Sequence, residues 1–308
     1  MRDKLIVGLT GDRHPSHSEG VERIDFLPVV KAYPAVSSKH GEVACVAGVE
    51  FRHTDALSRP EVHWIRLFPV PFRDLEDEQQ FAKYQPISVR VESHSSDSRP
   101  ETRRPDRESI EVTGDTIPAK GDWFGRRPYV EPLMADSMCA IQRSRKEDRT
   151  SLGLFRPAEI LGLDIESIDV KEEKEALAET MARREAQGSL LKGGEIDEKA
   201  ELLGALDLIP FRFKLKYRCN DPGCQKVHAQ SIVDWELLQF YRRERQRPDW
   251  QQIVRRRVLE EICAPDRDVA LIVGNQHQHE NAFLILGFWW PKRIAEQLGL
   301  GELGDVEH

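Results

Sequence analysis

No apolar run in these 308 residues approaches the roughly 20 that a helix needs to cross the hydrocarbon of a bilayer. The stretch Leu5–Leu9 is too short for the apolar region of a secretory signal, so the expected setting is a soluble protein of the cytoplasm. Cysteine is scarce and odd in number, five residues at 45, 139, 219, 224 and 263. A secreted disulfide framework would be denser and usually even. Cys45, inside Val43–Ala47, reads as a buried thiol. Internal repeats, a Walker phosphate loop, a dinucleotide fingerprint, a serine-hydrolase elbow and the kinase motifs are all missing. These absences exclude the enzyme classes that declare themselves by motif.

What is present is a chain that can build real cores under a heavily charged surface, with 39% hydrophobic and 32% charged residues. The length suggests two domains. The formal net charge of -8 argues against a wholesale polyanion binder, but the charge is unevenly spread. Residues 1–25 read as a flexible leader, rich in Gly, Pro and polar residues. Residues 26–165 read as a β-rich, small-barrel-like domain, with strands expected over 28–33, 43–49, 62–68 and 87–91. Within it, the Arg-rich stretch 93–109 reads as an exposed loop, and 132–146 as a helix. Residues 166–203 form an expected charged helical linker. The span 164–201 carries twelve acids and six bases, and 170–200 is its candidate surface for a protein partner.

Residues 204–300 read as a smaller α/β domain, followed by a tail at 301–308. Phe211–Arg218 alternates strictly: Phe211, Phe213, Leu215 and Tyr217 on one face, Arg212, Lys214, Lys216 and Arg218 on the other. That period of two fits a strand with one wet face. Helices are expected over 233–245 and 249–263, and strands over 269–273 and 283–289. The expected class is therefore α+β, with a zinc-stapled second domain.

The sharpest chemical signal follows the alternating strand, in Cys219-Asn-Asp-Pro-Gly-Cys224-Gln-Lys-Val-His228. Asp221-Pro222-Gly223 is a turn signal, so the chain reverses and two thiolates converge. His228 reaches the same point, and zinc suits mixed thiolate and imidazole donors. The expected fourth ligand is His277, in the turn-rich connection 274–281, with His279, Cys263 and Asp234 as other options. Were that position open to water, the site would be catalytic, with Glu236 or His279 handling protons. Asp234 and Glu236 also suit the positive end of a helix dipole.

Between Phe211 and Leu259 twelve basic residues stand against five acids, a local excess of +7. Arg212, Lys214, Lys216, Arg218, Arg242, Arg243 and Arg255 are the candidate nucleic-acid contacts, because concentrated Arg and Lys are the footprint of phosphate-backbone binding. The same residues would serve a solvated face packed on the acidic linker.

Lys31-Ala-Tyr33-Pro34, Cys45-Val-Ala-Gly48, Arg66-Leu-Phe-Pro69, Phe72-Arg73, Lys83-Tyr84 and Asp97-x-Arg99-Pro100-Glu101 occur in that order. Together with the later Cys-x4-Cys-x3-His and Asp234-Trp235-Glu236, they resemble a group of uncharacterised prokaryotic proteins over most of residues 28–290. That resemblance implies no activity. Residues 26–165 are similar in fold only to PUA-like or OB-like nucleic-acid modules. The expected function is a nucleic-acid-binding protein with a structural zinc, with bacterial DNA metabolism or phage defence as the context. The alternatives are a zinc-dependent hydrolase of nucleic acid or nucleotide, and a protein adaptor.

Overall fold

The computed structural model describes residues 20–293 except 33–34, 38–40, 54–58, 71–74, 95–96, 173, 176–177, 180–207 and 278. Most of the expected leader, the tail and most of the helical linker with its partner surface lie outside the described residues. Among the described residues no helix is long and apolar enough to cross a membrane.

The mixed α+β class is observed, and the first half closes on itself. The strands are β1 (Glu22–Lys31), β2 (Ala35–Ser37), β3 (Gly41–Arg52), β4 (Glu61–Val70), β5 (Ile87–Ser93), β6 (Thr102–Pro105) and β7 (Glu111–Val112). The ladder runs β1-β3-β4-β6-β5 and returns from β5 to β1, which makes a closed five-stranded barrel. β4 and β6 are parallel, and the other four pairings of the ring are antiparallel. Ile24, Phe26, Val46, Ile65, Leu67, Ile87, Val89 and Val91 fill the barrel. β1 begins at Glu22, six residues before the strand expected at 28–33 and four before the expected domain boundary at 26.

The second half adds β8 (Met134–Ala135), β9 (Leu152–Phe155), β10 (Glu159–Ser167), β11 (Phe211–Arg218), β12 (Val227–Ser231), β13 (Ala270–Gln276) and β14 (His279–Trp289). One sheet is ordered β14-β13-β9-β8, the other β10-β11-β12. Four helices are used below: α1 (Arg127–Val130), α2 (Met138–Asp148), α3 (Trp235–Glu244) and α4 (Trp250–Arg256). A π-helical turn, Arg257–Ile262, follows α4. β9 and β10, which the sequence reading places in the first domain, pair with strands of the second half.

The four-stranded sheet is the middle layer. In β13, Ala270 and Ile272 face the barrel, while Leu271 and Val273 face the helices and the three-stranded sheet. Both faces are covered, so the strand reads as a continuous apolar run instead of an alternation. β11 keeps one wet face, and its alternation matches the observed burial. Gly48 is needed where β3 crosses β1, since a Cβ there would sit 2.2 Å from the Leu27 carbonyl oxygen. That steric fact accounts for the glycine of the Cys-Val-Ala-Gly motif.

The Arg-rich stretch after β5 is the largest departure from expectation. It is not an exposed loop, because Asp97, Arg99, Glu101, Thr102 and Arg103 are all buried. β6, within it, completes the barrel. Its charges are tolerated because they satisfy one another and the neighbouring backbone. Glu101 accepts from the Ser151 N–H at 2.8 Å and the Ser151 hydroxyl at 2.6 Å. Arg66, in β4, donates to the Ser151 Oγ at 2.7 Å and to the Ser151 carbonyl at 3.1 Å. Arg99 grips Asp97 through Nε and Nη2 and donates to the Asn275 carbonyl at 2.7 Å. Arg and Glu from the barrel thus meet at the start of β9, and the barrel is bolted to the middle sheet.

Two outcomes follow for stability. Glu101→Ala should destabilise the fold by about 3–5 kcal/mol, the usual cost of leaving a buried partner uncompensated, read by denaturant titration. Burial alone would raise the Asp97 pKa, but the Arg99 fork overcomes this and holds it at about 2. A folded pKa below the unfolded value of about 3.9 gives stability that is complete above pH 4 and lost as pH falls toward 2. The contribution is on the order of 2 kcal/mol, and Asp97→Asn should flatten the stability–pH curve across that window.

Candidate functional site

The Cys/His segment forms the end of a β-hairpin. Cys219 follows β11, the chain turns, and His228 lies in β12 directly opposite Tyr217. The two rings stack with centroids 5.2 Å apart and planes 9° from parallel. The turn is closed by the Cys224 N–H donating to the Asp221 carbonyl at 2.9 Å. The Gly223 N–H donates to the Asp221 carboxylate at 3.0 Å, which is the local bond expected of Asp in a turn.

The expected triad converges, and a fourth donor completes it. Cys139, Cys219, Cys224 and His228 each offer one ligand atom, and these four atoms lie within 4.8 Å of one another. The Cys224 Sγ is 3.2 Å from the His228 Nε2. A tetrahedral ion with metal–sulfur bonds of about 2.3 Å would hold its sulfurs about 3.8 Å apart, so the cluster has the right size for one ion. The fourth member is Cys139, not His277. The His277 Nδ1 instead lies 3.4 Å from the Asp97 Oδ1, at the buried charge network. Cys263 and Asp234 are also outside the group.

Cys139 arrives from α2, whose N-cap is Ser137, accepting from the Ala140 N–H at 3.0 Å. Asp221 ties this helix to the hairpin: its carboxylate accepts from the Ser137 hydroxyl at 3.2 Å and pairs with Arg143 at 2.9 Å. Arg143 is the main cause of the lowered Asp221 pKa. Burial alone would push the Cys219 thiol up, but the N–H groups of Cys139, Asp221 and Met138 are directed at its sulfur and bring its pKa down. Burial, then hydrogen bonds with Cys224 and Cys219, raises Cys139 to about 12. Burial and Lys226 lower His228. Three sulfurs and an imidazole nitrogen gathered this closely are a donor set that a cation can complete.

The other candidates are dispersed. Glu236 pairs with Lys83 at 3.0 Å, and His279 begins β14; neither belongs to the donor cluster. Three of the four cations on the wet face of β11 are paired with anions of β10. Lys214 pairs with Glu166 at 2.6 Å, Lys216 with Asp164 at 2.9 Å and Arg218 with Glu159 at 3.1 Å. Arg212 lies opposite Glu166 in the ladder. Arg255 donates to the Leu163 carbonyl, and Arg242 is engaged with its surroundings. Among the described residues Arg243 makes no ion pair and packs against an aromatic ring. Its guanidinium lies 5.8 Å from the Phe240 ring. That ring also carries Arg257 at 5.8 Å, Arg257 lies 5.4 Å from Trp290, and Trp290 carries Arg267 at 5.1 Å. Three guanidinium groups and two aromatic rings alternate in one ladder, which the +7 count did not single out. The signal was Trp290 and Arg267, more than twenty residues beyond Arg243 in sequence.

The two halves of the motif resemblance also meet. Ala32 bridges to Asp234, and the Lys83–Glu236 pair lies beside them. Burial, then repulsion from Lys83, lowers Lys31 to about 8. Burial alone would also lower Lys83, but Asp234 and Glu236 carry its pKa up.

A family model described as a domain of unknown function (DUF8757) matches residues 134–303. A second domain of unknown function (DUF8758) matches residues 22–132. All four donors of the cluster fall in the first match. No curated protein matches the chain.

Cys139→Ser should reduce bound metal as much as Cys219→Ser or Cys224→Ser does, and His277→Ala should leave it unchanged. Metal content of the purified variants, by elemental analysis, checks both.

Proposed function

The chain belongs to the family described as a domain of unknown function (DUF8757), and we propose that it is a non-catalytic nucleic-acid-binding protein stapled by a structural zinc ion. Three sulfurs and one imidazole nitrogen suit zinc. The observation that carries the structural role is closure: four protein donors from two segments 80 residues apart leave no position for water or substrate. Bound there, zinc would supply cohesion, fixing α2 against the β11–β12 hairpin. A zinc hydrolase would need an open position and a proton-handling group beside it, and neither Glu236 nor His279 is in the cluster.

Support for nucleic acid comes from the ladder through Arg243, Arg257 and Arg267, and no longer from β11. Arg243 makes no ion pair among the described residues and is the guanidinium open to phosphate, Arg257 is shared with Glu261 at 2.6 Å and Arg267 lies 3.8 Å from Asp266, and the rings offer stacking surfaces to bases. Lys292 and Arg293 extend the same face, through the Arg267–Lys292 bridge and the Arg293 Nε donating to the Arg267 carbonyl at 3.0 Å.

Two measurements test this reading. The purified protein should carry about one zinc per chain, and chelator should lower its melting temperature, because metal binding at a site absent from the unfolded chain is folding free energy. Less than half an equivalent of metal, or a chelator without effect, ends the structural-zinc reading. Fluorescence anisotropy with single-stranded DNA and RNA should show affinity that falls steeply as salt rises. Absence of binding at low salt removes the nucleic-acid reading.

A further inference from the structure

The ladder borders a pocket of about 330 Å³ that the zinc site does not use. Its lining includes Asp234, Glu236, Phe240, Arg243, Arg257 and Trp290. α3 gives it a polarity, and the Phe240 ring lies 5.8 Å from both guanidinium groups. Glu236 is in its first turn and Arg243 in its last, a separation of about 10 Å along the axis at 1.5 Å per residue. Phe240 lies between them, on the same side by helical spacing.

The opposite wall is also specialised. Arg257 opens the π-helical turn and Ile262 closes it, and both line the pocket. The wider turn is carried by the Cys263 N–H donating five residues back to the Val258 carbonyl at 2.9 Å. Such turns occur mostly as local departures inside helices, frequently at functional sites.

A pocket with hydrogen-bond acceptors at one end, rings in the middle and guanidinium groups at the other selects a complementary ligand. That ligand bears an anion, then a flat apolar body, then hydrogen-bond donors. Phosphate meets Arg in bidentate fashion, bases stack on aromatic rings, and a carboxylate accepts from an exocyclic amino group. Asp234 already caps α3, accepting from the Leu237 N–H at 2.9 Å. Glu236 is therefore the acceptor left for the ligand, steadied by Lys83 at 3.0 Å. We propose that this pocket binds a single unpaired nucleotide with an amino-bearing base, its phosphate on Arg243 beside Arg257, itself paired with Glu261 at 2.6 Å, and its base edge on Glu236. The inference rests on the nucleic-acid reading above and deepens it. The same chemistry is offered by a free nucleoside 5′-phosphate and by a nucleotide within a single strand.

The test uses the full chain, loaded with metal. Calorimetric titration with AMP, CMP, GMP and UMP, and with the nucleosides lacking phosphate, reads the pocket directly. Anisotropy with single-stranded oligonucleotides reads the surface. The three amino-bearing monophosphates should bind, with UMP and the nucleosides weaker by about tenfold or more. Arg243 and Glu236 are exposed, so their variants should fold, which circular dichroism verifies. Arg243→Ala should weaken all monophosphates by about tenfold or more. Glu236→Gln should instead erase the preference over UMP while keeping the need for phosphate. Oligonucleotide binding without monophosphate binding, and indifferent to Arg243→Ala, overturns the pocket proposal and leaves the nucleic-acid reading standing. Monophosphate binding with that variant pattern but no oligonucleotide binding supports the pocket and removes the nucleic-acid reading. Binding of neither overturns both.

Discussion

The junction between the barrel and the middle sheet depends on one buried hydroxyl. The Ser151 Oγ accepts from Arg66 and donates to Glu101, while its backbone serves both partners as well. Neither charge is exposed to water, so each depends on this residue for part of its solvation. Around it the packing is apolar, with Leu27, Val29, Val49 and Phe51 of the barrel against Leu152, Leu154, Ala270 and Ile272 of the sheet. Apolar contact supplies most of the cohesion, but it is nondirectional. The hydrogen bonds fix how the barrel is turned on the sheet, and in that orientation Ala32 meets Asp234 and Lys83 meets Glu236.

The Cys/His cluster plays the corresponding part on the far face of the same sheet. It closes a corner between α2 and the hairpin, where Asp221 already links the two elements. Phe155 and Tyr217 pack together beneath it, 5.5 Å between ring centroids, and Tyr217 stacks on His228. An ion held there would therefore act on the core through a ring that is itself buried.

Periodicity made much of this legible from sequence. β11 matches its alternation residue for residue, and the Cys219–Cys224–His228 turn brings its three donors together. What could not be read locally was pairing at a distance. Cys139 lies 80 residues before Cys219 in an ordinary amphipathic helix, marked only by the capping Ser137. Lys214, Lys216 and Arg218 look like a basic patch until Glu166, Asp164 and Glu159 are laid beside them across the ladder. The stretch 97–103 looks like a solvated loop, because buried ions are rare and a sequence does not show their partners. In each case a residue's chemistry was set by a neighbour far away in the chain.

The same separation has a temporal side. During synthesis Cys139 leaves the ribosome well before the hairpin that meets it. At about 5–20 residues per second, the 80 intervening residues take roughly 4–16 seconds to make. Through that interval α2 has no hairpin to dock on, and its cysteine is a solitary thiol. The four-donor cage cannot be assembled piecemeal from the amino end. It is formed only when translation has passed His228, so capture of an ion would register that the chain has been made at least that far.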